Sequence, residues 1–485
     1  MTEPAAPAVA PALAVPSAAA VPTARPDRKF DRSIIEGPLP AAIWKLAWPA
    51  MITNIIGGMQ GMIDHILVGH YVGYQGNAAI GVSSQIFIMV VSFIMSLFTG
   101  MSVLVARFAG ANDHLNADRV VYQAFLTAIL LSLGVLAPLG YFLSPVLLNF
   151  VNAAPAVQAL ALPFLRIMFV YSMGMLLFYM LGGALRSAGD ARTPMILGIS
   201  MTIGNIILNV ILIQGWGPIP AFGVAGSAMG TAIASGLVGA YGIWKLYHGG
   251  WVVSFPKGMG YRPDWAIIRE LFRFGLPAGF QGIAMNIGGV LMLGFIGSLA
   301  ASAAAQAAYA VSYSQLFSFI TWTSVGLMGA AAAVAGQNLG AHQPDRAAAG
   351  VKVAARFGAM GAGTIGLAFL LIPRQLLGIF GMNDPEAVEI GVHLLQVLSV
   401  SGIFISTALA YTGGLQGTGD TRSPLYISIV SQIIIPLGIC FTVRHFMTLQ
   451  PMHIWIAILI GHVTRSMLGM WRFNQGKWRT IAVKV

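Results

Sequence analysis

Asp64 is the residue in this chain whose type and position could do chemistry. Of the fifteen acidic residues, it alone sits deep inside a long apolar run. The others fall in the N-terminal tail, in loops or near expected helix ends. An ionised carboxylate in hydrocarbon is costly, so it usually faces a cavity and marks an ion or proton path. Removal from water favours the neutral form, which lets such a group load and release a proton. Its neighbours strengthen this reading. Thr53, Gln60 and Asp64 fall on one helical face at separations of seven and four residues. Thr202, Asn205 and Asn209 share a face in a second apolar run. A carboxylate opposite two amides is a hydrogen-bonding cluster that reorganises when the acid is protonated. A plainer reading stands beside it. Gly69, Gly73 and Gly76 follow closely, so the helix could end early with Asp64 as an outward-facing cap, and each amide could be an ordinary interhelical contact.

The elements that must position these residues are membrane helices. Hydrophobic residues make up 57% of the 485 and charged residues 8%, against about 25% charged in a soluble domain. Runs near the spanning length of about 20 residues fall at 41–66, 78–105, 119–143, 157–181, 194–214 and 221–247. A second set falls at 268–297, 303–334, 350–372, 387–412, 424–445 and 453–473. The expected fold is therefore all-α and polytopic, with twelve transmembrane helices in two pseudo-symmetric six-helix bundles. Residues 1–40 read as a disordered Ala/Pro-rich tail, 41–247 and 268–473 as the two lobes, 248–267 as the inter-lobe linker, and 474–485 as a short basic tail.

A duplicated phrase supports the two lobes. Gly189-Asp190-Ala191-Arg192-Thr193-Pro194 recurs as Gly419-Asp420-Thr421-Arg422-Ser423-Pro424, a shift of 230 (419 − 189). Gly110-Ala111 and Gly340-Ala341 are also 230 apart (340 − 110), and Pro49 and Pro277 are 228 apart (277 − 49). An even number of spans per half makes the repeat parallel. The repeated phrase reads as a tight turn that starts helices 5 and 11. Gly189 and Gly419 supply a left-handed backbone, Thr193 and Ser423 the N-caps, and Pro194 and Pro424 the first helical residues. Asp190 and Asp420 would accept from the turn or pair with Arg192 and Arg422, and a gating role for these charges is the alternative. Pro49 and Pro277 lie inside helices 1 and 7, where each removes a hydrogen bond and permits a hinge.

The deep polar cluster is not duplicated. Asp64 maps onto Met292, and Asn205 and Asn209 map onto Ile435 and Ile439, so coupling is expected in the N-terminal half. Met285, Asn286, Met292 and Trp322 are candidates for an adaptable cavity wall in the other half. Arg166 falls near the middle of helix 4 and must find a partner. His462 and the other helix-borne histidines are expected near helix ends with no pair at metal-ligand spacing, and no metal site or enzymatic nucleophile is evident. The single cysteine, Cys440, reads as packing. The net charge of +11 forms no stripe suited to nucleic acid. Lys and Arg concentrate in loops on one side, and the opposite loops hold only Arg374 and Arg444. Both termini are therefore expected in the cytoplasm, with the protein in the cell's inner membrane.

The two six-helix halves, the stretch Gly61-Met62-Ile63-Asp64-His65-Ile66-Leu67-Val68-Gly69 and the paired Gly-Asp-x-Arg-[Ser/Thr]-Pro turns resemble the multidrug and toxic compound extrusion (MATE) family. The resemblance covers about residues 40–475. It implies a cation-driven antiporter of amphipathic, often cationic compounds, opening between two lobes, with the family's helix 1 acid and proline at Asp64 and Pro49. The family's helix 5 often reads Asn-x-x-x-Asp, whereas this chain has Asn205 and Asn209. NorM-type members also carry acids in helices 7 and 10, and the matching neighbourhoods near Met285-Asn286 and Ile405-Ser406 have none. The chain is thus more similar to the DinF-type branch than to the NorM-type branch. A hard cation prefers several oxygen ligands including carboxylates, while a proton needs one acid.

The expected function is secondary active efflux of amphipathic or cationic compounds in exchange for protons by alternating access, with Na+ as the other candidate ion. The rival is a lipid-linked oligosaccharide or polysaccharide flippase of the same superfamily, against which the lack of a basic central cavity counts. A membrane enzyme is disfavoured. No cofactor beyond the ion gradient is expected. The expected partners are small molecules and membrane lipid, with the protein a monomer.

Overall fold

The computed structural model describes residues 30–483 apart from 152 and 256–261. Twelve helical stretches cross the molecule: α1 (Leu39–Tyr71), α2 (Tyr74–Gly110), α3 (His114–Phe150), α4 (Pro155–Val170, continued by Ser172–Ser187), α5 (Arg192–Gln214) and α6 (Val224–His248) form the first half. The second half is α7 (Trp265–Gly297), α8 (Ser302–Gly340), α9 (Pro344–Leu371), α10 (Pro385–Gly417), α11 (Arg422–Phe446) and α12 (Pro451–Asn474). Among the described residues eleven are long and apolar enough to span a membrane singly, and the two pieces of α4, bent by 51°, make a twelfth when taken as one span. Among the described residues there is no strand beyond one isolated bridge, Trp216 to Ile219.

Local chemistry sets the helix ends. Asp113 accepts from Asn116 N, Asp264 from Ala266 N and Asp384 from Ala387 N, capping α3, α7 and α10. Pro155, Pro344, Pro385 and Pro451 occupy first helical positions, where the missing N–H costs nothing. Inside α3 and α11 the helix widens to π-type turns at Ser132–Leu136 and Val430–Ile434. Each ends two residues before a proline, Pro138 or Pro436, whose absent N–H displaces the hydrogen-bond ladder. The repeat extends to backbone angles. Gly189 and Gly419 adopt φ of 104° and 96°, and Asn112 and His342, also 230 apart (342 − 112), adopt 59° and 58°.

Each lobe has its own apolar core. One gathers Leu104, Phe125, Phe169 and Leu185, and the other gathers Phe317, Leu394, Leu398 and Trp455. A third, alanine-rich cluster fills the seam, where Leu46 and Ala47 of α1 meet Ala330, Ala331 and Val334 of α8. The seam is tightest at the end carrying both termini. A Cβ on Gly110 would lie 1.9 Å from the Gln337 carbonyl oxygen, and one on Gly340 would lie 2.1 Å from that of Arg107. Only glycine allows the ends of α2 and α8 to approach so closely. Large apolar side chains such as Phe142, Leu237, Val290 and Phe441 are exposed around the outside, as lipid contact requires.

Both chain ends brace this closed seam. Residues 1–29 of the expected tail lie outside the described residues, but residues 30–38, also placed in that tail, are packed rather than disordered. Phe30 stacks on His114 at 3.9 Å, Asp31 pairs with Lys45 of α1, and Ile34 is fully buried. From the other lobe, Asn338 donates to the Ile34 carbonyl at 3.4 Å and Arg346 donates to that of Gly37. The buried isoleucines and these ties outweigh the weak propensity of an Ala/Pro-rich neighbourhood. The C-terminal tail is likewise built in. Trp478 is buried against Phe473, and Arg107 of α2 donates to the carbonyls of Ile481 (3.0 Å) and Thr418 (2.9 Å). The inter-lobe linker docks through Ser254 on Asp118 and through the Arg119–Asp264 ion pair at 3.0 Å.

Candidate coupling and substrate site

A cavity of about 490 Å³ opens beside α1 and takes Asp64 into its wall. Its lining includes Thr53, Asn54 and Gln60 of α1, Phe178 and Tyr179 of α4, Thr202 of α5, Ser227 and Thr231 of α6, and Trp322 and Val325 of α8. It therefore draws on both lobes. Helix α1 continues seven residues past Asp64 to Tyr71 (71 − 64), so Asp64 is inside the helix and not a cap.

Among the described residues the carboxylate is held by one donor. Asn209 Nδ2 donates to Asp64 Oδ1 at 2.6 Å and to Asn205 Oδ1 at 3.2 Å. Asn205 Nδ2 in turn donates to Thr231 Oγ1 at 3.0 Å. Alongside, Thr202 Oγ1 donates to Gln60 Oε1 at 2.9 Å. Asn205 and Asn209 are fully buried, and no Lys or Arg forms an ion pair with Asp64 among the described residues. Asn209 Oδ1 is buried without a partner among the described residues and lies against Gly230, where a Cβ would come within 2.0 Å of it. The absent side chain at 230 is what seats the amide. The structure thus brings Gln60, Asp64, Thr202, Asn205 and Asn209 together.

Other candidate residues go elsewhere. Trp322 lines the cavity, and its indole occupies the space beside Gly58 of α1 that a Cβ would fill at 2.2 Å. Met292 is instead buried in the second lobe's core. Met285 and Asn286 line none of the described cavities, and Asn286 donates to Gly282 within its own helix. Pro49 and Pro277 lie within continuous helices α1 and α7. In the repeated turns the aspartates do the capping: Asp190 accepts from Thr193 N (3.0 Å) and Asp420 from Ser423 N (3.2 Å). Neither pairs with its neighbouring arginine. Arg192 lies over the Trp48 ring, and Asp420 takes Arg472 at 2.8 Å. Arg166 finds Tyr141, donating to its carbonyl at 3.2 Å with the guanidinium 4.3 Å from its ring centre.

Several polar residues escaped the sequence reading. Ser227, Thr231 and Ser235 repeat every four residues in α6, a periodicity visible in the sequence. His462 is not near a helix end but midway along α12, bonded to Ser401 and stacked on Phe317. Beneath the Asp64 cavity lies a second pocket of about 110 Å³ between the lobes, lined by Arg186 and Gln416, which are 230 residues apart (416 − 186). No group of three or more His, Cys, Asp or Glu side chains suited to a metal occurs among the described residues.

Comparison with known proteins fits this geometry. The family model described as MatE matches twice, at residues 49–211 and 277–442, once per half. A Thermotoga maritima protein named as a probable multidrug resistance protein NorM is 28% identical over 445 residues, covering 90% of this chain and 93% of that protein. The multidrug resistance protein MdtK of Edwardsiella ictaluri is 25% identical over 435 residues, covering 87% and 92%. Among solved structures, a multidrug resistance MATE family transporter of the MOP superfamily in an outward-facing conformation superposes with a TM-score of 0.85 at 21% identity, covering 93% of this chain and 98% of that one.

Proposed function

The chain belongs to the MatE family of membrane transporters, and from that premise we propose that it exports amphipathic, cationic compounds in exchange for protons. It is a transporter and not an enzyme. The observation that carries the reading is Asp64, held by Asn209 at 2.6 Å in the wall of a cavity shared by both lobes. Asn209 donates to the ionised carboxylate. Once a proton arrives, one carboxyl oxygen becomes a donor, and the Asn209 amide, whose Oδ1 has no partner among the described residues, turns to accept from it. Protonation thus exchanges one hydrogen-bond arrangement for another at the contact between α1 and α5. Helix α1 also carries Gly58, against which Trp322 of the opposite lobe packs, so a change in α1 is felt across the seam. Pro49, one helical stretch below, is the proposed hinge.

With the seam closed at the terminus-bearing end and both termini cytoplasmic, the cavity faces outward. A proton entering under a membrane potential contributes about 2.3 kcal/mol per 100 mV. One carboxylate without a second acid supports protons over Na+. The same reduced acid set is the ground for assigning the DinF-type branch, although matched relatives carry the NorM name. A flippase would draw on Arg186 in the inner pocket, but a single cation there is a weak hold for a diphosphate.

The test is drug flux in proteoliposomes with proton and sodium gradients imposed separately. The proton gradient is expected to drive transport and Asp64→Asn to abolish that drive. Equal transport by Asp64→Asn, or transport powered by sodium alone, would refute the proposal.

A further inference from the structure

The inner pocket differs in sign from the cavity above it. Among the described residues, Asp64 is the carboxylate of the outer cavity, whereas Arg186 is the one charged side chain of the inner pocket. The two share Asn54 and Val325 in their linings. Asn54 and Asp64 are ten residues apart on α1 (64 − 54), about 15 Å at the rise of an α-helix.

Arg186 is under-served. Among the described residues its guanidinium has no hydrogen-bond acceptor and no ion pair; the Phe98 ring lies 5.8 Å away, and the neutral Tyr179 side chain interacts with it electrostatically. On the same wall Ser102 Oγ is buried with no partner among the described residues. Thr99 adds a hydroxyl. The remaining walls are apolar: Ala50, Val103, Met328 and Ala332. A guanidinium in such surroundings is costly unless an anion pairs with it, and its fork matches a carboxylate bidentately. About 110 Å³ admits a small charged group with its waters, not a whole drug-sized molecule. Gln416, which holds the repeat-equivalent position and reaches the pocket from the opposite lobe, is neutral and already donates to Gln281 Oε1 at 3.1 Å. The positive charge is therefore one-sided, as the negative charge at Asp64 is.

We infer that the pocket around Arg186 is a subsite for the carboxylate of the cargo, so that the transporter selects zwitterionic amphiphiles whose amine end lies toward Asp64. This rests on the exporter reading above and adds a substrate class to it. The carboxylate accepts from Arg186 and from Ser102 Oγ, two donors the protein leaves unused. Closure of the α2–α8 ends below holds it there until the lobes rock.

The experiment uses the full chain in nanodiscs of neutral lipid and two fluorescent probes: an amphiphile bearing a tertiary amine and a carboxylate, and its methyl ester. Wild type is expected to bind the zwitterion about tenfold more tightly than the ester. Arg186→Gln, which copies the repeat partner's residue, is expected to bring that ratio near one, and Arg186→Lys to restore part of it. A wild-type ratio near one, binding of neither probe, or a ratio untouched by Arg186→Gln would overturn the subsite. If added anionic lipid displaces the zwitterion from wild type but not from Arg186→Gln, the occupant is a lipid headgroup and the cargo assignment falls. Asp64→Asn is expected to keep the ratio while losing proton-driven flux, so failure of the coupling mechanism is read separately from failure of the subsite.

Discussion

Gly110→Ala should pry open the seam at the terminus-bearing end. The new methyl would lie 1.9 Å from the Gln337 carbonyl oxygen and 2.7 Å from its carbon. Carbon–oxygen contacts settle at about 3.3 Å or more, so the ends of α2 and α8 must part by roughly 1.4 Å. Both partners are backbone and cannot turn aside. Overpacking of this kind costs about 1–3 kcal/mol. The cost falls on the conformation in which these ends touch and is absent once they separate. The balance between the two conformations therefore moves by about 5- to 150-fold. Ser102→Cys, in the inner pocket above the contact, is a suitable reporter because the single native cysteine, Cys440, is buried. In inside-out vesicles, a membrane-impermeant maleimide should label it faster by that factor in the Gly110→Ala background. Gly340→Ala, facing Arg107 O at 2.1 Å, should do the same. Gly363→Ala, with nothing within 4 Å of the new methyl, is the control. Labelling of the Gly110→Ala protein at the control rate would refute the argument that this contact gates access.

Three further outcomes follow from the geometry. Asn209→Ala removes the one donor to Asp64, a hydrogen bond to a charged group worth about 1.5–3 kcal/mol, and should lower proton-driven flux by about ten- to a hundredfold; Gly230→Ala, whose methyl would displace the same amide, should show the same loss with Asp64 untouched, measured by efflux under an imposed pH gradient. Trp478→Ala removes a fully packed indole from the C-terminal brace, which should cost about 3–5 kcal/mol and accelerate Ser102→Cys labelling without altering probe binding at high occupancy. At Asp31 partial burial works against ionisation, but hydrogen bonds from Lys45 and Ser33 outweigh it and hold the carboxyl below its ordinary 3.8. A depressed acid stabilises the packed state above the unfolded value and loses that contribution as pH falls through the folded one, so limited proteolysis of residues 30–38 should accelerate only well below pH 4 and be unchanged between pH 5 and 8.

The two lobes, the twelve crossings and the Asp64 cluster were legible because each is written in periodicity. Spans announce themselves by length, the lobes by the shift of 230, and Asn205 and Asn209 by four-residue spacing in an apolar run. Arg186 was visible too, at the same shift from Gln416, yet its meaning required knowing that both reach one pocket. Choices of partner were not legible. Asp420 prefers Arg472, 52 residues away, over the adjacent Arg422, because α12 brings that guanidinium alongside the turn. Met292 lay at the repeat position of Asp64 but points into a core, where the repeat positions of Asn205 and Asn209 are the apolar Ile435 and Ile439. The buried segment at 30–38 gave only Ile34 and Ile35 as a hint, too short a signal beside so many alanines and prolines.

Phe30 to Gly37 and Trp478 to Ile481 each fasten one half of the molecule to the other, from opposite ends of the chain. An alternating cycle that opened this end would release and re-form both fastenings each time, on the side where the chain ends emerge. A purification handle or fluorescent protein fused close to either fastening would therefore weigh on the turnover rate itself. The same positions offer a pair of attachment points whose separation reads out the working stroke in a single molecule.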